Sequence, residues 1–401
     1  MSRRPLRPLL RVSRPGRRTS RVAAALAAAA LALLPATPAH ADAIRSQQWS
    51  LKAMHTEEAW RTTKGEGITV AVLDTGVDDL HPDLAGSVLP GKDFVGFGAS
   101  SGDRAWARHG TAMAGIIAAH GHGPGRESGV VGIAPEAKIL PIRVILEGSD
   151  KAREKARNSR GTALAQGIRW AADQGADVIN LSLGDDSESA HPEAGEDSAV
   201  QYALAKGAVV VASAGNGGEK GDRISYPAAY PGVIAVTAVD RFGTHASFST
   251  RRWYATVSAP GVDVVTADPD RKYYQSWGTS AAAANVSGAV ALVRAAHPGL
   301  TPAQIKRLLV DTARDRPKGG RDDARGYGMV DPAAALAAAG KLRPGDPKAA
   351  TAGFDRRYFG AGPTPEPESK EPAVWLAPLA GGLGALVLAV AVVLWRGSRV
   401  R

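Results

Sequence analysis

The chain has 401 residues and is 44% hydrophobic, enough to bury one large core. It holds 0 cysteines, which excludes disulfides, thiolate metal sites and cysteine nucleophiles. The formal charge of +10 alone suggests a nucleic-acid binder, but eight arginines precede Ala41 and three follow Trp395, so the body between them is close to neutral and nucleic acid is excluded as a partner.

Residues 1–41 read as an export signal: basic positions from Arg3 to Arg21, an apolar run from Val22 to Leu34, then small residues at the A-x-A positions ending at Ala41. Residues 42–66 are too few for a domain and are expected to pack across the body as an N-terminal extension. From 67 to 340, apolar runs alternate with amphipathic stretches, the pattern of an α/β domain with a mainly parallel central sheet and helices on both faces. The expected strands are Ile68–Leu73, Ile139–Val144, Val178–Leu181, Ala208–Ala212 and Val233–Val239. The expected helices are Gly110–Ala119, Thr162–Ala172, Ser198–Ala205, Thr279–Ala296 and Pro302–Asp311, the last capped by Thr301 with Pro302 in its first turn. The charged stretches 150–160 and 185–198 read as solvated loops, and His120-Gly121-His122 as a flexible loop rather than a metal pair.

Composition then shifts. Residues 341–373 are a Pro/Gly-rich linker that cannot bury a core. The 22 residues 374–395 carry no charge and reach about 33 Å as a helix, the thickness of a bilayer's hydrocarbon core. Trp375 and Trp395 mark its two interfaces, and Arg396, Arg399 and Arg401 place the tail, 396–401, in the cytoplasm. The expected protein is a single-pass cell-membrane protein with its body outside.

Three segments carry chemistry. Asp74-Thr75-Gly76 ends the first expected strand, where parallel sheets gather active-site residues, and a carboxylate there can orient a histidine. His109 opens a helix of small residues and suits a general base. Gly278-Thr279-Ser280-Ala281-Ala282 puts Ser280 in the first turn of a helix whose dipole favours developing negative charge. Asn216, after the apolar run that ends at Ala212, supplies a donor for an oxyanion at the same sheet edge.

The order Asp74, His109, Asn216, Ser280, with His81-Pro82-Asp83-Leu84 after the aspartate and Val131-Gly132-Ile133-Ala134-Pro135 after the histidine helix, resembles the subtilisin family of serine proteases. The resemblance implies that Ser280 attacks a scissile carbonyl, His109 moves its proton, Asp74 holds the imidazole, and Asn216 with the Ser280 N–H binds the oxyanion of an acyl-enzyme pathway. It also implies that Ser182, Leu183 and Gly184, with Ala214 and Gly215, bind an extended polypeptide substrate by strand addition, and that Tyr226-Pro227 is cis. Ala281 and Ala284 depart from the family's bulky residue and proline behind the serine.

The plan of signal, extension, peptidase body, linker and membrane span looks like the mycosins, subtilisin-like proteases associated with type VII secretion. This implies a secretion membrane complex as partner, and as an alternative function a structural role there with dispensable proteolysis. No cofactor is assigned; the resemblance leaves structural calcium open, since calcium is frequent among subtilisin relatives, but no acidic run matches a known loop, so metal sites are left uncommitted.

Overall fold

A computed structural model describes residues 43–103, 105–157 and 160–345. The elements in chain order are α1 (Trp49–Ala53), α2 (Thr56–Ala59), β1 (Thr69–Asp74), β2 (Lys92–Asp93), α3 (Arg108–Ala118), β3 (His120–His122), β4 (Ser128–Val131), β5 (Lys138–Arg143), α4 (Arg153–Arg157), α5 (Arg160–Asp173), β6 (Val178–Leu181), α6 (Ala194–Ala205), β7 (Val209–Ser213), β8 (Ile234–Val239), β9 (Ala255–Pro260), β10 (Val264–Asp268), β11 (Lys272–Ser276), α7 (Thr279–Ala296), α8 (Pro302–Thr312) and α9 (Pro332–Ala339).

Seven strands form one sheet in the order β2-β5-β1-β6-β7-β8-β9, and every pairing within it is parallel. The inner strands β1, β6, β7 and β8 are mostly Val, Ile, Leu and Ala because both faces are covered. Alternate residues supply two separate cores. Val70, Val72, Val209, Val211, Ile234 and Val236 pack with α3, α7, α8 and α9. Ala71, Leu73, Ile179, Val210 and Ala212 pack with α5 and α6. The sheet is thus the middle of three layers.

β1 lies between β5 and β6, so the chain runs to one side of it and then to the other. The helix after β1 covers one face and those after β5 and β6 the opposite face. A crevice opens at the carboxyl ends of strands where such a reversal occurs. α7 fits closely under the sheet because Ala281–Ala284 and Gly288 are small. A Cβ on Gly288 would come within 2.5 Å of Ile133, and Ala281 and Ala284, the two departures from the family pattern, are fully buried.

The N-terminal segment is fastened across the body. The Trp49 indole donates to the carbonyls of Val262 and Asp263 at 3.2 and 3.1 Å, and Trp60 donates to Ile133 at 2.8 Å. The Gln48 amide exchanges two hydrogen bonds with the Val131 backbone, at 2.8 and 2.9 Å. At the other end, Thr301 and Gln304 form a reciprocal cap on α8, and Pro302 occupies its first turn.

Three expectations are corrected. His120-Gly121-His122 is a strand paired antiparallel with β4, not a flexible loop. Both of its histidines are hydrogen-bonded: His120 to the Gly121 and Ala85 carbonyls, His122 to the Asp83 carboxylate. The stretch 150–160 contains α4, and Asp150 is buried, accepting from the N–H groups of Ala99 and Ala152. In 185–198 the helix starts at Ala194, and Glu196 and Asp197 are buried, Glu196 accepting from Tyr230 at 3.0 Å. The Tyr226-Pro227 bond is cis, as expected.

The expected export signal, the expected linker beyond residue 345, and the expected membrane span and tail lie outside the described residues. Among the described residues no helix is long and apolar enough to cross a membrane, and no group of three or more His, Asp or Glu side chains is arranged to hold a metal ion.

Candidate active site

Asp74 is the last residue of β1 and is fully buried. Its two oxygens lie 2.8 and 2.9 Å from Nδ1 of His109, and Oδ1 also accepts the Thr75 N–H at 2.7 Å. With Nδ1 donating to a carboxylate, the other ring nitrogen, Nε2, is left as the base. His109 stands in the first turn of α3, its side chain 34% exposed. The close approach of α3 to the strand depends on Gly110, where a Cβ would fall on the Gly76 carbonyl oxygen.

Charge around the ring favours its protonated form. Burial is the largest influence and works against the imidazolium. The Asp74 charge, the hydrogen bond it accepts and the charge of Glu147 outweigh burial and the opposing cation of Arg153, so the His109 pKa is raised above the ordinary histidine value.

Ser280 occupies the second position of α7, after Gly278 as N-cap, with its backbone N–H among the unbonded donors of the first turn. Its hydroxyl donates to the Ser182 carbonyl at 3.0 Å. His109 and Ser280 line the same cleft of about 460 Å³. Asn216 follows β7, and its amide oxygen accepts both the Thr279 N–H and the Thr279 hydroxyl at 3.0 Å. Two donors on one atom fix the orientation of the amide, which directs its NH₂ away from Thr279.

The expected binding residues divide. Ser182, Leu183, Gly184 and Gly215 line the cleft. Gly215 has φ +109, and a Cβ there would lie 2.8 Å from the Thr250 hydroxyl, so the site requires glycine. Ala214 does not line the cleft: it is fully buried, its N–H donates to Val236 and its carbonyl accepts from the Tyr254 hydroxyl. Val144 to Gly148, with Arg153 and Ala156, also line the cleft and were not assigned to the site by the sequence; Asp185 and Asp186, which line it too, belong to the charged stretch 185–198 that read as a solvated loop. Only the position of Val144 at the end of an expected strand hinted at the first.

A carboxylate-bound imidazole lining a cleft that a hydroxyl at a helix N-terminus also lines, on a parallel sheet, is the kind of arrangement found in α/β hydrolytic enzymes of the Asp–His–Ser class. Comparison narrows the class. The Subtilase family model (Peptidase S8) matches residues 65–328, and the chain belongs to that family. It is 41% identical over 269 residues to the thermophilic serine proteinase of Bacillus sp. (strain AK1), covering 66% of this chain and 61% of that protein. Among solved structures it is similar to MycP1 from Mycobacterium smegmatis, with TM-score 0.64 and 31% identity over 80% of this chain and 90% of the other. It is also similar to the MycP3 protease from the type VII (ESX-3) secretion system, with TM-score 0.60 and 33% identity over 76% of this chain and 90% of the other.

Proposed function

We propose that this chain is a membrane-anchored serine endopeptidase, exposed outside the cell and associated with a type VII secretion complex. The observation that carries the enzymatic reading is the Asp74–His109 pair at 2.8 Å on one wall of the cleft that also holds Ser280. In this reading the Ser280 hydroxyl turns from the Ser182 carbonyl toward His109 Nε2, passes its proton there and attacks the scissile carbonyl. The imidazolium is held by Asp74 and later protonates the leaving amine. The Asn216 amide and the Ser280 N–H bind the oxyanion, and water then cleaves the acyl-enzyme. An extended polypeptide lies along Ser182–Gly184 and Gly215.

Association with type VII secretion is supported by the likeness to the MycP3 protease of such a system. Anchoring is supported by the uncharged run 374–395 and the arginines that follow it. A fluorophosphonate should label full-length protein in membranes, and Ser280→Ala should abolish both labelling and peptide hydrolysis; unchanged hydrolysis would reject the assignment. Truncation after residue 373 should release the body from the membrane pellet. Complementing a deletion strain with Ser280→Ala separates the two roles: full rescue of secretion assigns the essential role to structure rather than to proteolysis.

A further inference from the structure

We propose that Glu147 is a positioning residue of this hydrolytic site: its carboxylate fastens the His109 main chain to the residue after Asp74, and its charge favours the imidazolium formed when Ser280 loses its proton. The proposal rests on the serine-peptidase reading above.

Glu147 stands in the segment after β5, a strand whose last residue, Arg143, is in register with Asp74. Its Oε1 accepts two hydrogen bonds, from the Thr75 hydroxyl at 2.7 Å and from the His109 backbone N–H at 2.6 Å. The Thr75 oxygen in turn accepts the Gly110 N–H at 3.1 Å, and the Thr75 N–H donates to Asp74 at 2.7 Å. With the Asp74–His109 contact these bonds close a ring through Asp74, Thr75, Glu147 and His109. The ring couples the end of β1 to the start of α3 at the point where the Asp74 and His109 side chains must keep their 2.8 Å hydrogen bond.

The helix cannot make this connection for itself. Its N-cap is Ala107, which has φ 53 and no side-chain oxygen. The first-turn N–H groups of α3 therefore take Glu147 and Thr75 as acceptors, and a carboxylate at that end also suits the helix dipole. Three charged groups face the His109 ring from the elements packed around it: Asp74 and Glu147 favour its protonation, and Arg153 of α4 opposes it. Arg108, next in sequence, is paired with Asp268 at 2.8 Å and lies over the Tyr274 ring. Glu147 is thus, after Asp74, the second anion acting on the His109 ring, in the opposite sense to Arg153.

Two substitutions separate geometry from charge. Glu147→Gln keeps an acceptor oxygen and removes the charge; Glu147→Ala removes both. On full-length protein in detergent, kcat and KM for a peptide are measured across pH. In a Ser280→Ala background, the His109 ring is titrated by NMR and assigned with His109→Gln. In Glu147→Gln the acid limb of kcat/KM and the His109 midpoint should both move to lower pH, with plateau kcat within a few-fold of wild type. Glu147→Ala should show the same movement and lose about 10- to 100-fold in kcat with KM nearly unchanged.

A wild-type limb and midpoint in both variants, with only the melting temperature lowered, would reduce Glu147 to a helix cap and overturn the proposal. If Glu147→Ala does not fold, Glu147→Gln decides. Absence of any Ser280-dependent hydrolysis in the wild type would instead sink the peptidase reading, and the NMR titration would still show whether Glu147 acts on His109.

Discussion

Ser182 and Ser280 hold each other reciprocally: the Ser280 hydroxyl donates to the Ser182 carbonyl at 3.0 Å, and the Ser182 hydroxyl donates to the Ser280 carbonyl at 2.9 Å. The pair joins the end of β6 to the first turn of α7, and the Asn180 amide extends it by donating to the Ser182 hydroxyl while accepting from Ser287. In the proposed mechanism turnover breaks one half of the pair, because the Ser280 proton has to face His109. The other half can persist and hold the helix end in place.

Ser182→Ala removes the half that persists and, with it, the acceptor of the Asn180 amide. The Ser280 carbonyl loses a buried donor, which costs about 1 kcal/mol of stability, and the nucleophile's turn is less well fixed. A denaturant midpoint lowered by that amount, with kcat down several-fold and fluorophosphonate labelling of Ser280 retained, is the expected result. Complete loss of labelling would mean that Ser182 does more than position the helix.

The raised pKa of His109 gives activity and stability opposite slopes with pH. As a base the imidazole must be neutral, so kcat/KM should rise with pH along a limb lying above the value of about 6.5 for a free imidazole. The folded-state pKa exceeds the unfolded one, so the stability contributed by the pair is fully present below the unfolded pKa and is lost as pH rises through the folded pKa. Comparing urea midpoints of wild type and His109→Gln across this range should show a difference that shrinks as pH increases. A difference that grows would reverse the assigned direction of the shift.

The sequence was most legible where one residue type had to satisfy one constraint. Val178–Leu181 could be read as a strand to its ends because a parallel strand buried on both faces leaves room for little but apolar side chains. α8 announced itself through Thr301, Pro302 and Gln304. By contrast β9, Ala-Thr-Val-Ser-Ala-Pro, is buried along its length without an apolar run; its Thr256 hydroxyl accepts the Ala235 N–H, a partner that only the fold supplies. Glu196 and Asp197 read as solvated charge for the same reason. Glu147 and its contacts to Thr75 and His109 were hidden by distance: the partners are 72 and 38 residues away. Ala214 is fully buried while its neighbour Gly215, at positive φ, lines the cleft, a division that the sequence does not show.

The hairpin of β3 and β4 makes a separate stability prediction. Asp83 is fully buried and accepts from the Val130 N–H at 2.8 Å and from His122 Nδ1 at 2.5 Å. Asp83→Ala strands the Val130 N–H in the interior and should cost about 1–3 kcal/mol, read as a lower urea midpoint. Because the hairpin follows the far end of α3 from His109, kcat/KM of the folded fraction should be unchanged. A parallel loss of activity at low denaturant would show that the hairpin and the catalytic end of the helix are coupled.

Asn216 tests the oxyanion arrangement. Its amide oxygen is held by both donors of Thr279, so the orientation of its NH₂ is fixed before any substrate arrives. A preorganised donor acts mainly on the tetrahedral intermediate, whose oxygen carries the charge, and less on the ground-state carbonyl. Asn216→Ala should therefore lower kcat by about 10²–10³-fold, equivalent to roughly 3–4 kcal/mol, and leave KM within a few-fold. Asn216→Asp keeps the acceptor for Thr279 but puts a carboxylate where a donor is needed, and it should lose at least as much activity while leaving the helix end intact. Equal losses in kcat/KM arising from KM alone would show that Asn216 binds the substrate and not the transition state.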